Sequence, residues 1–496
     1  MNPPTLPPPS PPPRVSSDLA PPALRRIADL PGPRGVPLLG NLWQIDRDRL
    51  HQQAEAWAHR YGEVYQMRLG ARRFLVLSNP EAIAALLRDR PDGFKRTDRL
   101  SATARELGFH GLFSANGDHW RRQRPMVLAG LDPTHIKSFF PTLVTVTRRF
   151  ARRWRRAVEQ GESIDLQADL MRYTVDVTAG LAFGVDINTI ESDDEVIQQH
   201  LDKVLPALHR RVMAPVRYWD WFKLPADRQL DRHLAALHEA VHGFINAAQA
   251  RLDADPGLRE QPRNLIEAML AARGRDGQSV TDEDVSGNVL TMLLAGEDTT
   301  ANTLAWMIWQ LHQHPDAALQ AAAEARAVCG DEGLVTQPEQ LSRLDYVEAC
   351  AHETMRLRPV APVIIQQAVR DTVVAGIEVP AEALVMCLMR PGATSDTHFP
   401  EAERFRPERW LSPGAANVAA SSAKRVAMPF GAGPRICPGR YLALAEMKMA
   451  MSMLLSSFRI ESVQTPDGTD VRERLALTMS PVGLRMRLRT AGTFTV

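Results

Sequence analysis

Phe430-Gly431-Ala432-Gly433-Pro434-Arg435-Ile436-Cys437-Pro438-Gly439 is the stretch from which the rest of this chain is read. Its glycines and prolines specify a stiff, turning loop whose backbone can approach another group closely. Pro438 suits the first turn of a helix, and apolar residues follow at helical spacing at Leu442, Ala445, Met449 and Met453. A helix is therefore expected from about Gly439 to about Phe458. Cys437 then sits just before a helix N-terminus, where the helix dipole and free amide donors favour a thiolate. A thiolate on a rigid loop beside an arginine is what a metal ligand requires. On local chemistry alone, a buried structural cysteine beside a turn is equally open.

The chain has 496 residues, so length points to two domains or to one large one. At 44% hydrophobic and 24% charged it has an ordinary globular composition. A formal net charge of +1 gives no global argument for nucleic acid, and no nucleic-acid partner is expected. The four cysteines, Cys329, Cys350, Cys387 and Cys437, are too scattered for a zinc or redox motif. They suit a reducing, intracellular setting, with Cys329, Cys350 and Cys387 as small buried apolar residues. No apolar run reaches the ~18–20 residues that span a bilayer, and the N-terminus lacks the pattern of a secretory signal. A cytoplasmic protein without a transmembrane anchor is expected.

Residues 1–30 include Pro7, Pro8, Pro9, Pro11, Pro12 and Pro13, a tract that favours extended conformations and builds no core. A disordered tail is expected there, followed by one folded domain over residues 31–496 that opens on the stiff run Pro31-Gly32-Pro33. Val64–Leu69 and Phe74-Leu75-Val76-Leu77, separated by Gly70-Ala71-Arg72-Arg73, read as a hairpin. Strand patterns return near residues 372–389 and 475–488, and most of the remainder has helical periodicity. The fold class is mainly α with a small, sequence-discontinuous β-sheet region.

One helix stands apart. Thr281-Asp282-Glu283-Asp284 is a capping-box start, and Pro315 stops the helix after His314. Its length is roughly 50 Å, enough to cross the whole domain. At its middle lies Ala295-Gly296-Glu297-Asp298-Thr299-Thr300. Gly, Asp and paired Thr are poor choices for a helix interior, and Thr hydroxyls bond back to carbonyls. Stability given up at the centre of the longest element points to function, with a kink and a solvated Asp as the alternative. Two shorter patterns are weaker alone. Glu353-Thr354-Met355-Arg356 places opposite charges on one helix face, as a surface ion pair also would. Trp120-Arg121-Arg122-Gln123-Arg124 would be core plus a solvated face.

Taken together these stretches resemble the cytochrome P-450 superfamily, whose haem loop follows Phe-x-x-Gly-x-Arg-x-Cys-x-Gly; Phe430, Gly433, Arg435, Cys437 and Gly439 fill every fixed position. The resemblance covers about residues 31–490 and implies the cytochrome P-450 fold, with a long central helix crossing the domain. It implies haem b (iron protoporphyrin IX) with its iron ligated by Cys437, and O2 as co-substrate. Glu353, Arg356 and Arg409, the last from Phe405-Arg406-Pro407-Glu408-Arg409-Trp410, become a buried structural network that fixes the Cys437 loop. Asp298 and Thr299 become an acid–alcohol pair that delivers protons for O–O cleavage on the distal face, where Ala295 also lies. Trp120, Arg124 and Arg435 become propionate partners, guanidinium matching both carboxylate oxygens. There is one departure. Many members have an Arg or His propionate ligand about five residues before the Asp that is here Asp371; Gln366 stands there and can donate a hydrogen bond but no charge. That contact is left unassigned, with Arg370 placed on a different face.

The activity so implied is a monooxygenase inserting one oxygen atom of O2 into a C–H (or C=C) bond of a hydrophobic small molecule. No second nucleotide-binding motif is visible, so electrons are expected from a separate ferredoxin or flavodoxin-type donor with its reductase, and the protein is expected to be a monomer. Arg121, Arg122, Arg440 and Lys448 are candidates for the docking face, with simple solvated charges as the alternative. Candidate pocket residues are Phe109, Leu112, Phe113, Leu294, Ala295, Val363, Ile364 and Met479, and Trp219 and Trp221 are expected in a mobile roof. Fatty acid, terpene, steroid and aromatic substrates all stay open. Two rivals stay open as well: a peroxide-using or rearranging enzyme on the same fold, and a haem sensor without catalysis.

Overall fold

The computed structural model describes residues 24–131, 133–192, 196–214, 216–272, 281–411 and 423–491. Most of the expected proline-rich tail, residues 1–23, lies outside the described residues.

In chain order the helices are α1 (Leu50–Tyr61), α2 (Pro80–Arg88), α3 (Asp98–Glu106), α4 (Gly117–Ala129), α5 (Pro133–Gln160), α6 (Leu166–Phe183) and α7 (Val196–Met213). They continue as α8 (Pro225–Ala254), α9 (Leu265–Ala272), α10 (Asp282–Gln313), α11 (Pro315–Cys329), α12 (Asp345–Leu357), α13 (Arg390–Ala393) and α14 (Arg440–Ser457). The strands are β1 (Arg25–Arg26), β2 (Val64–Leu69), β3 (Arg72–Leu77), β4 (Phe94–Arg96), β5 (Ile164–Asp165), β6 (Val363–Ala368) and β7 (Thr372–Val374). After them come β8 (Ile377–Val379), β9 (Leu384–Leu388), β10 (Phe458–Gln464), β11 (Glu473–Ala476), β12 (Thr478–Pro481) and β13 (Arg485–Thr490). The mainly α architecture with small, discontinuous sheets agrees with expectation.

The main sheet has the order β2-β3-β9-β6-β4, and its first pair is the expected hairpin, except that Arg72 and Arg73, expected in the connection, pair with Leu69 and Arg68 and leave Gly70-Ala71 as the turn. Alternation along β6 puts Val363 and Ile365 in one apolar cluster with Met479, and turns Ile364 into another cluster with Leu75 and Leu77. Ile364 therefore leaves the predicted pocket set.

The folded region also begins earlier than residue 31. Arg25 and Arg26 pair in parallel with Ile377 and Glu378, and Ile27 and Leu30 are buried beside them. Two apolar side chains at the end of a polar, proline-rich run were enough to recruit it into the core.

Helix α10 starts at the Thr281 capping box, in which Thr281 and Asp284 cap each other, and ends one residue before His314. Most of its side chains are buried, so its stability comes from packing on every side. It lies against α6 closely enough that a Cβ on Gly296 would sit 2.5 Å from the Thr178 hydroxyl. The glycine is thus required by helix contact as well as by any chemistry nearby.

Candidate active site

The Cys437 loop is short-circuited by its own backbone. The Cys437 amide donates to the Phe430 carbonyl at 3.0 Å, and the Ile436 amide to that of Gly433 at 3.0 Å. Gly433 has φ +72°, and a Cβ there would lie 2.5 Å from the Leu87 carbonyl oxygen, so only glycine lets the loop close on the end of α2. Cys437 is half-buried, whereas Cys329, Cys350 and Cys387 are fully buried, and all four are free. Burial pushes the Cys437 thiol up, while the Gly439 amide, Arg124 and Arg440 pull it back. The net direction is upward, so the helix start alone does not make the thiolate expected from sequence. A bound metal cation would favour the thiolate.

Around this loop gathers a set of guanidinium groups. Arg124 donates to the Ile436 carbonyl at 2.5 Å, next to Cys437, and lies 5.9 Å from the Trp120 ring centre. Arg435 lies over the same ring at 5.2 Å and donates to the carbonyls of Leu112 and Ala115 and to Asn116. Arg96 donates to the Phe113 carbonyl and lies 4.7 Å over its ring. Arg90, 4% exposed, donates to the carbonyls of Leu87 and Ala432. Burial lowers Arg435 to about 8, with Arg96, Arg90 and Arg124 pushing in the same direction. Arg90 falls to about 9 and Arg96 to about 10, burial again being the main cause.

Among the described residues none of these four arginines has a carboxylate within ion-pair reach. A cluster of mutually repelling cations without an anion is costly unless an anion joins it. The donor set fits a porphyrin bearing two propionates, for which Cys437 would supply the thiolate ligand. Arg90 and Arg96 were missed from sequence. Arg96 stands directly across β4–β6 from Gln366, and only that register reveals it.

The expected structural network is assembled. Glu353 and Arg356 are completely buried and pair through both carboxylate oxygens at 2.7 and 2.8 Å. Arg409 reaches the same carboxylate at 3.2 Å, as do the Trp410 indole at 2.8 Å and the Arg406 amide at 2.9 Å. Arg356 also donates to the carbonyls of Ala393, Ala402 and Arg404, which stitches α12 to the segment that leads towards the Cys437 loop.

On α10, the Thr299 hydroxyl donates back to the Ala295 carbonyl at 2.7 Å. Ala295 is exposed in the middle of an otherwise buried helix, and so faces open interior space. Asp298 accepts from the Asn302 amide at 3.0 Å and from the Thr478 hydroxyl. Burial raises the Asp298 carboxyl, against the lowering by Thr478, Asn302 and the nearby Arg474. Phe109, Leu112 and Leu294 are buried in the main core, Phe113 packs on its edge, and Met479 is fully buried against Trp306. The fully buried Met479 therefore does not line open space as expected; its amide donates to the Val360 carbonyl at 2.8 Å. Trp219 is buried under Arg211, while Trp221 is 77% exposed, so the two do not act together.

Of the predicted docking residues, Lys448 is buried and paired with Glu348, which removes it from the surface. Its long apolar stem lets α14 accommodate it once Glu348 meets the charge. Arg121 pairs with Asp92 and Asp118, Arg122 is exposed, and Arg440 donates to the Cys437 carbonyl at 3.2 Å. Among the described residues no helix is long and apolar enough to cross a membrane.

Comparison with known proteins gives a consistent set of matches. The family model described as Cytochrome P450 matches residues 30–487. A "Cyclooctat-9-en-7-ol 5-monooxygenase" from Streptomyces melanosporofaciens is 29% identical over 87% of this chain and 89% of its own length. A mitochondrial "25-hydroxyvitamin D-1 alpha hydroxylase" from Mus musculus is 27% identical over 88% of each. The bifunctional cytochrome P450/NADPH–P450 reductase ascE of Acremonium egyptiacum matches at 26% identity, this chain spanning only 43% of it. A solved cytochrome P450DA heme domain superposes with a TM-score of 0.80 over 94% of this chain and 98% of that one, at 23% identity, which is a likeness of fold.

Proposed function

Because this chain belongs to the cytochrome P450 family and is a haem-thiolate monooxygenase in general type, we propose that it binds haem b through Cys437 and oxygenates a hydrophobic small molecule with electrons from a separate ferredoxin or flavodoxin-type donor. The observation that carries this reading is the half-buried Cys437 amid four arginines that have no carboxylate partner among the described residues. The balance is RH + O2 + two electrons + two protons giving ROH + H2O. When bound, the haem supplies the oxidising chemistry, and thiolate ligation favours O–O cleavage.

The chain's own residues do the rest. Arg435, Arg96 and Arg90 would hold the propionates, and Trp120 packs beneath Arg435 and Arg124. Arg124 and Arg440 hold the carbonyls of Ile436 and Cys437, and with the Gly439 amide they stabilise negative charge on the sulfur. Phe430 and Gly439 frame the loop. Glu353, Arg356 and Arg409 keep its approach rigid. Asp298 and Thr299 carry protons from the interior of α10 to the open space beside Ala295. Apolar Leu112, Phe113, Leu294 and Val363 exclude water and favour an apolar carbon skeleton, in keeping with relatives named for oxygenating cyclooctat-9-en-7-ol and 25-hydroxyvitamin D. The protein acts as a monomer in the cytoplasm, where four free cysteines are at home.

The test is the spectrum of the purified protein. The reduced carbonyl complex should show the red-shifted thiolate Soret band, and Cys437→Ser should abolish it together with NAD(P)H-driven product formation through a surrogate redox chain. Protein that carries no haem, or a Cys437→Ser variant that keeps the band, would overturn the assignment.

A further inference from the structure

We propose that Thr478, at the turn of the β11–β12 hairpin, is a positioning residue that holds the proton-delivering carboxyl of Asp298. The inference rests on the reading of Asp298 as part of the proton path, and goes beyond it by naming what aims that carboxyl and from where.

Both oxygens of Asp298 are engaged. Oδ1 accepts from Asn302, one turn further along α10, and Asn302 is itself held by the Gln167 amide at 2.9 Å. Oδ2 accepts from the Thr478 hydroxyl, which comes from far along the chain. The first partner follows from helical spacing; the second exists only because the hairpin packs on α10.

The hairpin is built to hold that hydroxyl in place. Ala476 pairs with Thr478 across a turn whose one intervening residue, Leu477, has φ +80°. A leucine in that region is uncommon and persists only where its surroundings enforce it. The surroundings do so at both ends. Next to Thr478, Met479 is fully buried and its amide donates to the Val360 carbonyl at 2.8 Å. At the hairpin base, the buried Glu473 pairs with Arg390 at 2.7 Å, His51 at 2.8 Å and Arg358 at 3.2 Å. Thr478 is thus clamped between an apolar anchor and a charged one.

The same segment that holds the acid is therefore fixed to the strand-side core through Met479 and the Val360 carbonyl. In a buried site a carboxyl with an unmet oxygen either turns or stays protonated. Loss of the Thr478 hydroxyl would therefore leave Asp298 misaimed. The oxygenation balance then fails at proton delivery, and O2, two electrons and two protons leave as H2O2 while RH is untouched.

The test uses the full-length holoenzyme with Thr478→Val, Thr478→Ser and Asp298→Asn. Thr478→Val is expected to keep its haem and its melting temperature. Product formed per O2 consumed should fall severalfold, with H2O2 making up the difference. The carboxyl infrared band of Asp298, recognised by its absence in Asp298→Asn, should move to higher wavenumber as it loses a donor. Thr478→Ser should restore both. If Thr478→Val fails to fold, Thr478→Ala carries the same readouts and expectations. An unmoved band, or unchanged coupling with a moved band, overturns the proposal. If instead Asp298→Asn itself leaves coupling unchanged, the proton-path reading fails, while the infrared arm still decides whether Thr478 holds the carboxyl.

Discussion

Arg96 and Gln366 show how a single charge can change strands without leaving its place. They are opposite one another in antiparallel register, and directly opposed side chains lie within about 5 Å. A cation absent from β6 is therefore supplied by β4, at the same edge of the same sheet. Arg96→Gln is expected to speed haem loss to apomyoglobin by on the order of tenfold, the scale of one charge-assisted hydrogen bond. Adding Gln366→Arg should recover most of it. No recovery would mean that Arg96 acts through its stacking on Phe113 rather than through its charge. The thiol of Cys437 teaches a related lesson. Burial pushes its thiol up, and the Gly439 amide, Arg124 and Arg440 pull it back without reversing the direction.

At the scale of elements, α12 is the hub that connects the charge network to the helix behind the ligand loop. One face presents Glu353 to Arg356 and Arg409; another presents Glu348 to Lys448 on α14. His352 and Lys448 hold the Glu348 carboxyl down at about 2. Its folded value is depressed, so its stabilising contribution is complete above the unfolded value of about 4.3 and is lost as pH falls from there towards 2. Thermal unfolding followed from pH 6 to pH 3 should show the melting temperature falling across the lower part of that range. Glu348→Gln should lower the melting temperature at pH 6 and flatten the acid slope. An unchanged slope would show that the α12–α14 pair contributes little. The capping box of α10 and the stop at Pro315 belong to this scale too, and both were legible because caps are written within four residues of one another.

For the molecule as a whole, the question is where an electron donor would sit. Lys448 was a reasonable choice from sequence, since lysines are rarely buried, yet its partner Glu348 lies about a hundred positions earlier and draws it inside. Arg122 is exposed and Arg440 lies against the Cys437 carbonyl, whereas Arg121 is shared with two aspartates. Arg122→Glu should slow reduction by an added ferredoxin-type donor by on the order of tenfold at low salt, with the effect shrinking as ionic strength shortens the Debye length. Lys448→Glu should destabilise the fold without that salt signature. Stopped-flow reduction rates across an ionic-strength series decide both.

Features specified over a short stretch of chain were legible before any tertiary contact was known. The Cys437 loop, the ends of α10, the β2–β3 hairpin and the Glu353–Arg356 spacing are each specified within about ten residues, and each was found where expected. Even the network's third member, Arg409, was legible through its own short motif. Tertiary structure alone decided the rest. It paired Arg96 with Gln366, set Thr478 on Asp298, turned Ile364 away from Val363, buried Lys448 and drew Arg25 and Arg26 into a sheet. Those facts depend on register and on contacts between distant segments, where a shift of one residue reverses a strand's faces and a remote partner changes what a charge costs to bury.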